Sequence, residues 1–443
     1  MPSAPDETVA RQRRSRAIGV LILTALGVAL TLYAFYPGVM TVDANFVYRD
    51  IAKNFRGDWQ SPVMGVVWAV IDPIAPGAAS MFLFMILLYW LAFALIGLTL
   101  ARRSWLAFAL PILAVTPPAF LLAGTLWRDI LLAAAWLLAA ALAFATEGHA
   151  KWLQRAAQAL ALVLIAFGIL LRPNLIPAAP LLVAYVLWPS AWRLRRTAIL
   201  YPVAFVIGVV LVPFVYYGLL NATRLHPLHS VFVFDLGGIT YFTGENQYPA
   251  DWTPEQMALL TGHCYPTRQW DIYWGNEPCG FVMTRLEREK IFGSDTLVTA
   301  WRRAIVGHPL AYLAHRATYM TKFLTGNNLV MWTKDADDTE KPAFPDRAAF
   351  AALIAIQDAL QPTWLLRSVT WLALCLLLCA LAWQRRATPA GAFVLGLCGS
   401  AALYVASYFF FGVASDYRYA YWAVLASLAG IPVLLAQAVS GRA

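Results

Sequence analysis

Asp43 carries the carboxylate in this chain that is best placed to accept a proton. It lies seven residues beyond the apolar run 17–36, directly after Thr41 and Val42. A carboxylate just outside a membrane span can take a proton from a hydroxyl group beside a lipid-held substrate. A solvated loop acid or a helix cap is the structural alternative, and the polar residues gathered near other spans bear on the choice.

Arginines at the ends of apolar runs are candidate anion-binding groups. Arg128 and Asp129 open one such run, and Arg172 is followed by Asn174 between two others. An arginine at membrane depth costs about 2.5–3.5 kcal/mol on insertion scales, so it normally has a partner or a function. Both places also have structural interpretations. Asp129 can cap a helix and pair with Arg128, and Arg172 can snorkel to the membrane interface.

A third arginine, Arg418, lies between the last two apolar runs, in the sequence Asp416-Tyr417-Arg418-Tyr419. A guanidinium can grip a phosphate through two parallel hydrogen bonds, and tyrosine hydroxyls can assist it. We therefore predict that Arg418 and Tyr417 contact an anionic substrate. An ion pair between Asp416 and Arg418 that closes a turn is the structural alternative.

Asp235 and His308 are the remaining candidates, and both lie in the long polar segment of the chain. Asp235 is followed closely by Gly237 and Gly238, which either allow a close approach to substrate or shape a turn. His308 directly precedes Pro309. For His308 we favour capping of the following helix over a substrate contact.

The elements that position these residues are predicted to be membrane helices. The chain has 443 residues, of which 60% are hydrophobic and 13% are charged. Soluble domains rarely exceed about half apolar residues, so we predict an all-α polytopic membrane protein. The net charge of +9 does not indicate a nucleic-acid partner, because the basic residues are scattered among the apolar runs. Orientation in the bilayer explains them better.

Ten apolar runs are candidate membrane spans. They cover residues 17–36, 79–101, 105–123, 129–146, 156–171, 175–189, 198–220, 363–383, 391–413 and 419–438. The first run is long enough to be a retained anchor rather than a signal peptide. With a cytoplasmic N-terminus, ten spans place every basic cluster of the short loops inside, as the positive-inside bias requires. These clusters are Arg102/Arg103, Lys151/Arg155, Arg193/Arg195/Arg196 and Arg385/Arg386.

This topology divides the chain into four predicted parts. They are a cytoplasmic basic tail over 1–16, seven spans over 17–220 with an outer loop at 37–76, a mostly helical extracytoplasmic domain over 221–362, and three spans with a short cytoplasmic tail over 363–443. Nearly all carboxylates then lie outside or at the outer ends of spans. The polar chemistry is therefore expected on the outer side of the membrane.

Two local features are expected in the 221–362 domain. An amphipathic helix over Leu310–Leu324 is predicted to lie on the membrane surface, because its leucines share one face at helical spacing while His315, Arg316 and Lys322 are polar. Cys264 and Cys279 are the two cysteines of this domain. Outside the cytoplasm such a pair is expected to form a disulfide.

At these residues the sequence resembles the GT-C superfamily of membrane glycosyltransferases, which includes protein mannosyltransferases and the aminoarabinose transferase of lipid A. The topology of the whole chain is similar, and five short motifs carry the likeness. These are Tyr36-Pro37-Gly38 leading to Asp43, Asp58-Trp59-Gln60-Ser61-Pro62, Trp127-Arg128-Asp129, Arg172-Pro173-Asn174 and Arg418-Tyr419. In two departures, Ala44 stands where many members have a second acid, and Ser61 replaces the usual histidine before the proline.

The resemblance implies transfer of a sugar from a polyprenyl-phosphate donor to a lipid, glycan or protein acceptor at the outer face of a bacterial inner membrane. Asp43 would be the general base, and Arg418 with Arg128 or Arg172 would bind the donor phosphate. The resemblance also covers Asp129 and Asn174 as substrate contacts, and the residue types themselves add Asp235, His308 and Tyr417 as candidates. No cofactor is expected, although the departures at Ala44 and Ser61 leave the question of a divalent metal open.

Two other classes of protein fit part of the pattern. A transporter or flippase of a lipid-linked or anionic solute would also need arginines near the membrane, but such proteins usually show internal repeats and broken mid-membrane helices. Neither feature is evident in the sequence. A glycan polymerase or ligase would use the same lipid-linked substrates and differ mainly in which outer loops are large.

Overall fold

A computed structural model describes residues 4–265, 270–275, 277–335, 337, 341, 343–344 and 347–440. The first three residues of the predicted basic tail and the last three of the predicted C-terminal tail lie outside the described residues. Within the described part the regular elements are helices, and there is no strand. The predicted all-α class is thereby confirmed.

The described residues form nineteen α-helices in chain order. These are α1 Ala4–Phe35, α2 Val42–Ala52, α3 Pro62–Ile71, α4 Ala78–Ala101, α5 Ala109–Ala114, α6 Pro117–Phe120, α7 Arg128–Thr146, α8 Lys151–Leu171, α9 Ala179–Leu187, α10 Leu194–Pro213, α11 His229–Thr243, α12 Pro254–Gly262, α13 Phe281–Arg288, α14 Asp295–Gly307, α15 Pro309–Thr325, α16 Ala348–Leu360, α17 Ser368–Trp383, α18 Pro389–Phe411 and α19 Tyr421–Ser440. A π-helical turn, Phe214–Leu219, extends α10.

Seven helical stretches of the described part are long and apolar enough to cross a membrane. They are Thr8–Phe35, Ala78–Ala101, Arg128–Thr146, Lys151–Leu171, Leu194–Leu219, Pro389–Phe411 and Tyr417–Ala438. By length and composition the chain is therefore an integral membrane protein, and these stretches coincide with seven of the ten predicted spans.

The other three predicted spans, 105–123, 175–189 and 363–383, contain only shorter helices. Proline is the physical reason in the first two, because it lacks a backbone N–H group and its ring clashes with the preceding helical turn. The first of them is interrupted at Pro117 and Pro118, and the second contains no α-helix before Ala179. Hydropathy detects the length of an apolar run but not these interruptions.

The helices differ greatly in how far they are buried. Most side chains of α7, α18 and α19 are buried, so these helices form the centre of the bundle. By contrast, α10 has only two buried residues, Thr197 and Gly208. Its exposed side chains are mainly apolar, among them Val206 and Val210. An apolar face of this kind is suited to lipid rather than water.

The predicted orientation of the amphipathic helix is wrong for its polar residues. The helix forms, as α15, but its buried face consists of His315, Arg316, Tyr319 and Phe323, while Leu310 is 80% exposed. The reason is Asp235, a fully buried carboxylate on α11 that lies 2.7 Å from Arg316 Nη2 and 3.1 Å from His315 Nε2. A buried charge needs a partner, and α15 supplies it.

Of the two alternatives for the glycines after Asp235, the turn is not formed, because both glycines lie inside α11. Their role is to allow close packing. A Cβ atom on Gly238 would lie 2.1 Å from His315 Nδ1, and one on Gly237 would lie 2.1 Å from the Tyr273 hydroxyl. The missing side chain of Gly238 thus lets α15 approach α11 closely enough for the ion pairs of Asp235, and that of Gly237 leaves room for Tyr273.

Two other predictions for the polar segment have clear outcomes. Cys264 and Cys279 form a disulfide, as predicted. His308 does occupy the position before the first residue of α15, but its side chain makes no capping hydrogen bond. Only its carbonyl takes part, by accepting a hydrogen bond from the Tyr312 N–H group.

Candidate functional site

A cavity of about 570 Å³ lies where several helix ends converge with the 221–362 segment. The first turn of α2, the first residue of α7, the segment after α8, the C-terminal half of α10 and the loop between α18 and α19 all contribute to its wall. Five of the predicted site residues line it, although they are far apart in sequence. They are Asp43, Arg128, Arg172, Asn174 and Arg418.

Asp43 lies in the first turn of α2 but is not its cap. Thr41 caps the helix, because its hydroxyl accepts a hydrogen bond from the Ala44 N–H group at 3.2 Å. The carboxylate of Asp43 is therefore available to the cavity, and its side chain is 41% exposed. Its Oδ2 atom lies 2.9 Å from Arg418 Nη1, and its Oδ1 atom accepts a hydrogen bond from Gln60 Nε2 at 3.1 Å.

Three arginines determine the charge state of Asp43. Burial opposes ionisation of the carboxyl group, but the positive charges of Arg418, Arg128 and Arg172 outweigh that effect. The pKa of Asp43 is therefore lower than the ordinary aspartate value. Asp43 is an ionised carboxylate at neutral pH, which is the state that a general base requires.

Arg418 joins two carboxylates and two aromatic rings. Its Nε atom lies 3.0 Å from Asp416 Oδ2, so the ion pair that the sequence suggested as a turn closure is present. The same side chain also reaches Asp43. The guanidinium carbon lies 4.4 Å from the centre of the Trp127 ring, which holds the cation by its face.

Arg172 is fixed by a buried acid and a tyrosine. Its Nε atom lies 2.8 Å from Asp129 Oδ1, and its Nε and Nη2 atoms donate hydrogen bonds to the Tyr408 hydroxyl at 3.2 and 3.1 Å. The suggested pairing of Asp129 with Arg128 is therefore wrong. Asp129 is 2% exposed and does not line the cavity, so it positions Arg172 rather than contacting substrate.

Arg128 has no such partner. Among the described residues its side chain makes no hydrogen bond and no ion pair. It lines the cavity and interacts electrostatically at longer range with Arg172, Asp129 and Asp43. Asn174 adds a second unused group, since its Oδ1 atom is buried without a hydrogen-bond partner in the described part of the chain. The cavity thus offers the unpaired guanidinium of Arg128 to a ligand, and the Asn174 amide oxygen is buried in its wall.

An apolar surface completes the cavity. It is contributed by α10 and by the segments beside it. The side chains are Ile176, Pro177, Phe205, Val209, Val212, Leu228 and Phe411. Several of them belong to α10, the helix whose other faces are exposed and apolar. The cavity therefore combines a cationic surface with an apolar one, as an amphiphilic ligand requires.

Sequence reasoning missed several residues of the cavity. Gln60 and Tyr419 lay within motifs that drew attention for other reasons, whereas Trp270 and Asp271 had no motif around them. The backbone N–H group of Trp270 donates a hydrogen bond to the Val413 carbonyl at 2.9 Å, which fixes the neighbouring Asp271 beside the cavity. The only sequence signal for this pair was its place between the two disulfide-forming cysteines.

Asp271 lines the same cavity as Asp43, and Asp58 is the third carboxylate in its lining. Partial burial raises the pKa of Asp271, the negative charge of Asp43 adds to the rise, and Arg418 opposes it. The residue after Asp43 in the sequence is Ala44, so the neighbouring position supplies no second acid. The fold instead brings the acid from a distant segment. In the described residues no group of three or more His, Cys, Asp or Glu side chains is arranged to hold a metal ion.

Besides Asp129, three predicted site residues do not line the cavity. Asp235 is engaged by Arg316, His315 and the Trp301 Nε1–H group. His308 separates α14 from α15, and Tyr417 is fully buried. Their position gives no support to the predicted contact with substrate, which stays a prediction. Tyr419, two residues beyond Tyr417, faces the cavity instead.

No family model, no curated protein and no solved structure matches the chain. The chemistry of the cavity is therefore inferred from its own side chains. These provide three guanidinium groups, three carboxylates and an apolar surface that is continuous with a lipid-exposed helix.

Proposed function

We propose that the chain is a membrane glycosyltransferase of the GT-C type. It transfers a sugar from a polyprenyl-phosphate donor to an acceptor at the outer face of a bacterial inner membrane. The combination of cationic and apolar side chains in the cavity lining supports this proposal. Three arginines surround Asp43, and α10 adds an apolar surface beside them. The donor matches this lining, because its phosphate is anionic and its isoprenoid chain is apolar.

The three arginines bind the donor phosphate in different ways. Arg128 has no ion-pair partner among the described residues, so it is free to take one phosphate oxygen. Arg172 and Arg418 already pair with acids, and they stabilise the charge that develops as the phosphate leaves. The isoprenoid chain lies along Phe205 and Val209 of α10, which open the cavity to lipid.

The transfer step balances without a further reactant. The acceptor oxygen forms a bond to the anomeric carbon of the sugar, and the bond from that carbon to the phosphate oxygen breaks. The bonding electrons leave with the polyprenyl phosphate, whose new charge is met by the arginines. The acceptor proton passes to Asp43 Oδ1 or Oδ2, so Asp43 is the general base.

Donor binding also prepares the base. Without donor, Arg418 is 2.9 Å from Asp43 Oδ2 and holds the pKa of this carboxyl group low. A bound phosphate competes for Arg418 and brings its own negative charge near Asp43. Both effects raise the pKa of Asp43 and make it a stronger base in the complex than in the free enzyme.

The topology that we propose keeps the ten predicted spans. α1 ends beside the start of α4, where the Tyr36 and Phe82 rings are 6.4 Å apart. α4 has 24 residues, so its far end is about 36 Å away. Arg128 nevertheless opens α7 at the cavity. The short helices α5 and α6 must therefore carry the chain back across the membrane.

The same reasoning applies to α9, and α17 must connect the 221–362 domain to the loop that contains Arg386. The ends of α8 and α10 both contribute to the cavity, so α9 must return the chain between them. On the opposite side, the Trp192 N–H group donates to the Arg386 carbonyl at 2.6 Å, and Arg102 Nη1 is 3.4 Å from His149 Nε2. The basic loops thus meet away from the cavity, which supports a cytoplasmic N-terminus with the 221–362 domain outside.

Reconstitution tests the class of function. The purified protein is incubated in vesicles with radiolabelled undecaprenyl-phosphate hexose and a crude envelope extract as the source of acceptors. We expect labelled product that depends on the protein. Movement of the labelled lipid across the vesicle without any transfer would support the transporter instead and overturn the proposal.

A further inference from the structure

A second cavity, of about 270 Å³, lies beside the first, between α2, the segment 54–57 and α3. We propose that it is the acceptor subsite of the transferase and that it takes a sugar ring, so that the acceptor is a glycan. This inference rests on the proposed function. It adds a binding site and the chemical class of the second substrate.

Gln60 connects the two cavities. It lines both of them, and its Nε2 atom donates to Asp43 Oδ1 at 3.1 Å. The other carboxylate oxygen of Asp43 faces Arg418, on the side of the proposed donor phosphate. The base is therefore approached from two directions, with the donor on the Oδ2 side and the second cavity on the Oδ1 side. A rotation of the Gln60 side chain would give an acceptor hydroxyl access to Oδ1.

The polar groups of the second cavity suit hydroxyl groups. Asp50, Asn54 and Arg56 line it, so it offers a carboxylate, an amide and a guanidinium within a small space. The Asp50 carboxylate accepts no hydrogen bond from a described residue, and Lys53 is the cation whose charge acts on it. A sugar hydroxyl both donates and accepts hydrogen bonds, so it satisfies such a mixed set.

The size and charge of the second cavity argue against the donor lipid. Apart from Gln60 and Ser61, the remaining lining is apolar, and its larger side chains are Val47, Ile51, Phe55, Val66 and Val70, which match the C–H faces of a sugar ring. A polyprenyl chain needs a long apolar groove, and a phosphate would be repelled by Asp50. Arg56 is the arginine of this cavity, and its Nη1 atom already donates to the Leu220 carbonyl at 3.3 Å.

Gly65 allows this cavity to be filled without touching the first. It lies on α3 and lines only the second cavity. A Cβ atom there would meet Val47 and Ile51 at 3.8 and 3.9 Å, which is ordinary contact. Gly65→Ala therefore adds one methyl group and leaves most of the space open. Gly65→Leu places a branched side chain in the cavity.

Kinetics in the reconstituted system test the subsite. Methyl hexopyranosides serve as acceptor probes, and undecaprenyl-phosphate hexose serves as donor. We expect Gly65→Leu to raise the acceptor KM by about tenfold or more while the donor KM stays nearly unchanged, with a much smaller effect for Gly65→Ala. Asp50→Asn, which adds no bulk, is expected to raise the acceptor KM as well. An unchanged acceptor KM in both Gly65→Leu and Asp50→Asn would overturn the subsite.

Binding measured without turnover separates this inference from the proposed function. Saturation-transfer NMR with methyl hexopyranosides on the full-length protein is expected to give a signal for Gly65→Ala that Gly65→Leu loses. The same signal in both variants, including none in either, overturns the subsite. Absence of transfer by the wild type in reconstituted vesicles would contradict the transferase itself, whatever the NMR result.

Discussion

The two oxygen atoms of Asp43 have different neighbours, and this asymmetry determines how the residue can act. Arg418 lies 2.9 Å from Oδ2, and Gln60 donates to Oδ1. A carboxylate in an ion pair is a weak base, so Asp43 needs a change of surroundings before it accepts a proton readily. In the proposed reaction the donor phosphate provides that change by engaging Arg418.

This competition predicts a pH effect. The acidic limb of kcat/KM for the donor reports Asp43 in the free enzyme, where the three arginines hold its pKa below the ordinary value. The acidic limb of kcat reports the complex and is expected at higher pH. Rate measurements between about pH 3 and 7 distinguish the two limbs. Asp271→Asn serves as the control, since the limbs should persist without that second acid, and coincident limbs would contradict the competition.

Arg128 and Arg172 are expected to respond differently to removal. Arg128 has no ion-pair partner in the described part, so Arg128→Ala should leave stability nearly unchanged. It should raise the donor KM about ten- to a hundredfold, because a hydrogen bond to a charged group contributes about 1.5–3 kcal/mol. Arg224→Ala, an exposed arginine that does not line the cavity, is the matched control. Equal donor KM values in the two variants would exclude Arg128 from the phosphate site.

Loss of Arg172 should instead destabilise the fold. Asp129 is 2% exposed and lies 2.8 Å from Arg172, so Arg172→Ala leaves a buried carboxylate unpaired. Breaking a buried pair costs about 3–5 kcal/mol in free energy of unfolding. Thermal unfolding in detergent measures the effect. The double variant Asp129→Asn/Arg172→Ala should recover much of the loss, and a single variant as stable as the wild type would refute the pairing.

At the scale of elements, the 221–362 segment holds the loop that precedes Arg418. Arg316 Nη1 donates to the Gly412 carbonyl at 2.6 Å, and the Tyr319 hydroxyl donates to the Ala414 carbonyl at 2.9 Å. The Trp270 N–H group binds the carbonyl between them, on Val413. Three successive backbone carbonyls are thus fixed from one side. The position of Arg418 therefore depends on helices that are distant in sequence.

The disulfide is expected to support this arrangement, since Trp270 lies within the segment that Cys264 and Cys279 close. A bridge across 15 residues contributes about 3 kcal/mol in the chain-entropy view. Cys264→Ser/Cys279→Ser should therefore lower the unfolding temperature and reduce transfer, because Trp270 and Asp271 lose their anchor. Thermal unfolding and the transfer assay test both effects. The buried thiol variant Cys398→Ser is the control for loss of a cysteine, and full activity of the double variant would contradict this role.

The elements also show which sequence signals were sufficient. Long apolar runs identified seven helices because an uninterrupted apolar run of sufficient length by itself indicates a membrane-spanning helix. The polar face of α15 was assigned to solvent because periodicity separates polar from apolar residues but cannot identify a buried partner such as Asp235. The Asp-Leu-Gly-Gly sequence resembled a turn for the same reason. Gly238 is required by the approach of His315 and Gly237 by that of Tyr273, and both partners are encoded elsewhere in the chain.

At the scale of the whole molecule, the fold collects residues from five distant segments at one cavity. Sequence motifs identified Asp43, Arg128, Arg172, Asn174 and Arg418 because charged groups near spans are costly and therefore conspicuous. Asp271 and Trp270 were missed because a carboxylate or a tryptophan in a polar segment has no free-energy cost that would make it conspicuous in the sequence. Asp235, His308 and Tyr417 were also predicted but do not line the cavity, since a polar residue type does not reveal what the side chain contacts.

The proposed topology makes a prediction for labelling in intact cells. Glu255→Cys introduces an exposed thiol on α12, in the domain proposed to lie outside, and Ala150→Cys introduces one in the basic loop between α7 and α8. A membrane-impermeant maleimide should label the first variant in intact cells and the second only after permeabilisation. The wild-type chain gives the background labelling of its native thiols. Labelling of Ala150→Cys in intact cells would contradict the orientation.

The most direct test of the central claim is the rate of sugar transfer by Asp43→Asn. Asparagine keeps the size of the side chain and its contact with Gln60 but cannot accept the proton at neutral pH. We expect transfer to fall by about 10²–10⁴-fold with a donor KM that does not rise, because general-base catalysis contributes about that factor. Asp295→Asn, an exposed acid at the start of α14, should behave as the wild type. Equal rates of transfer by Asp43→Asn and the wild type would contradict the account.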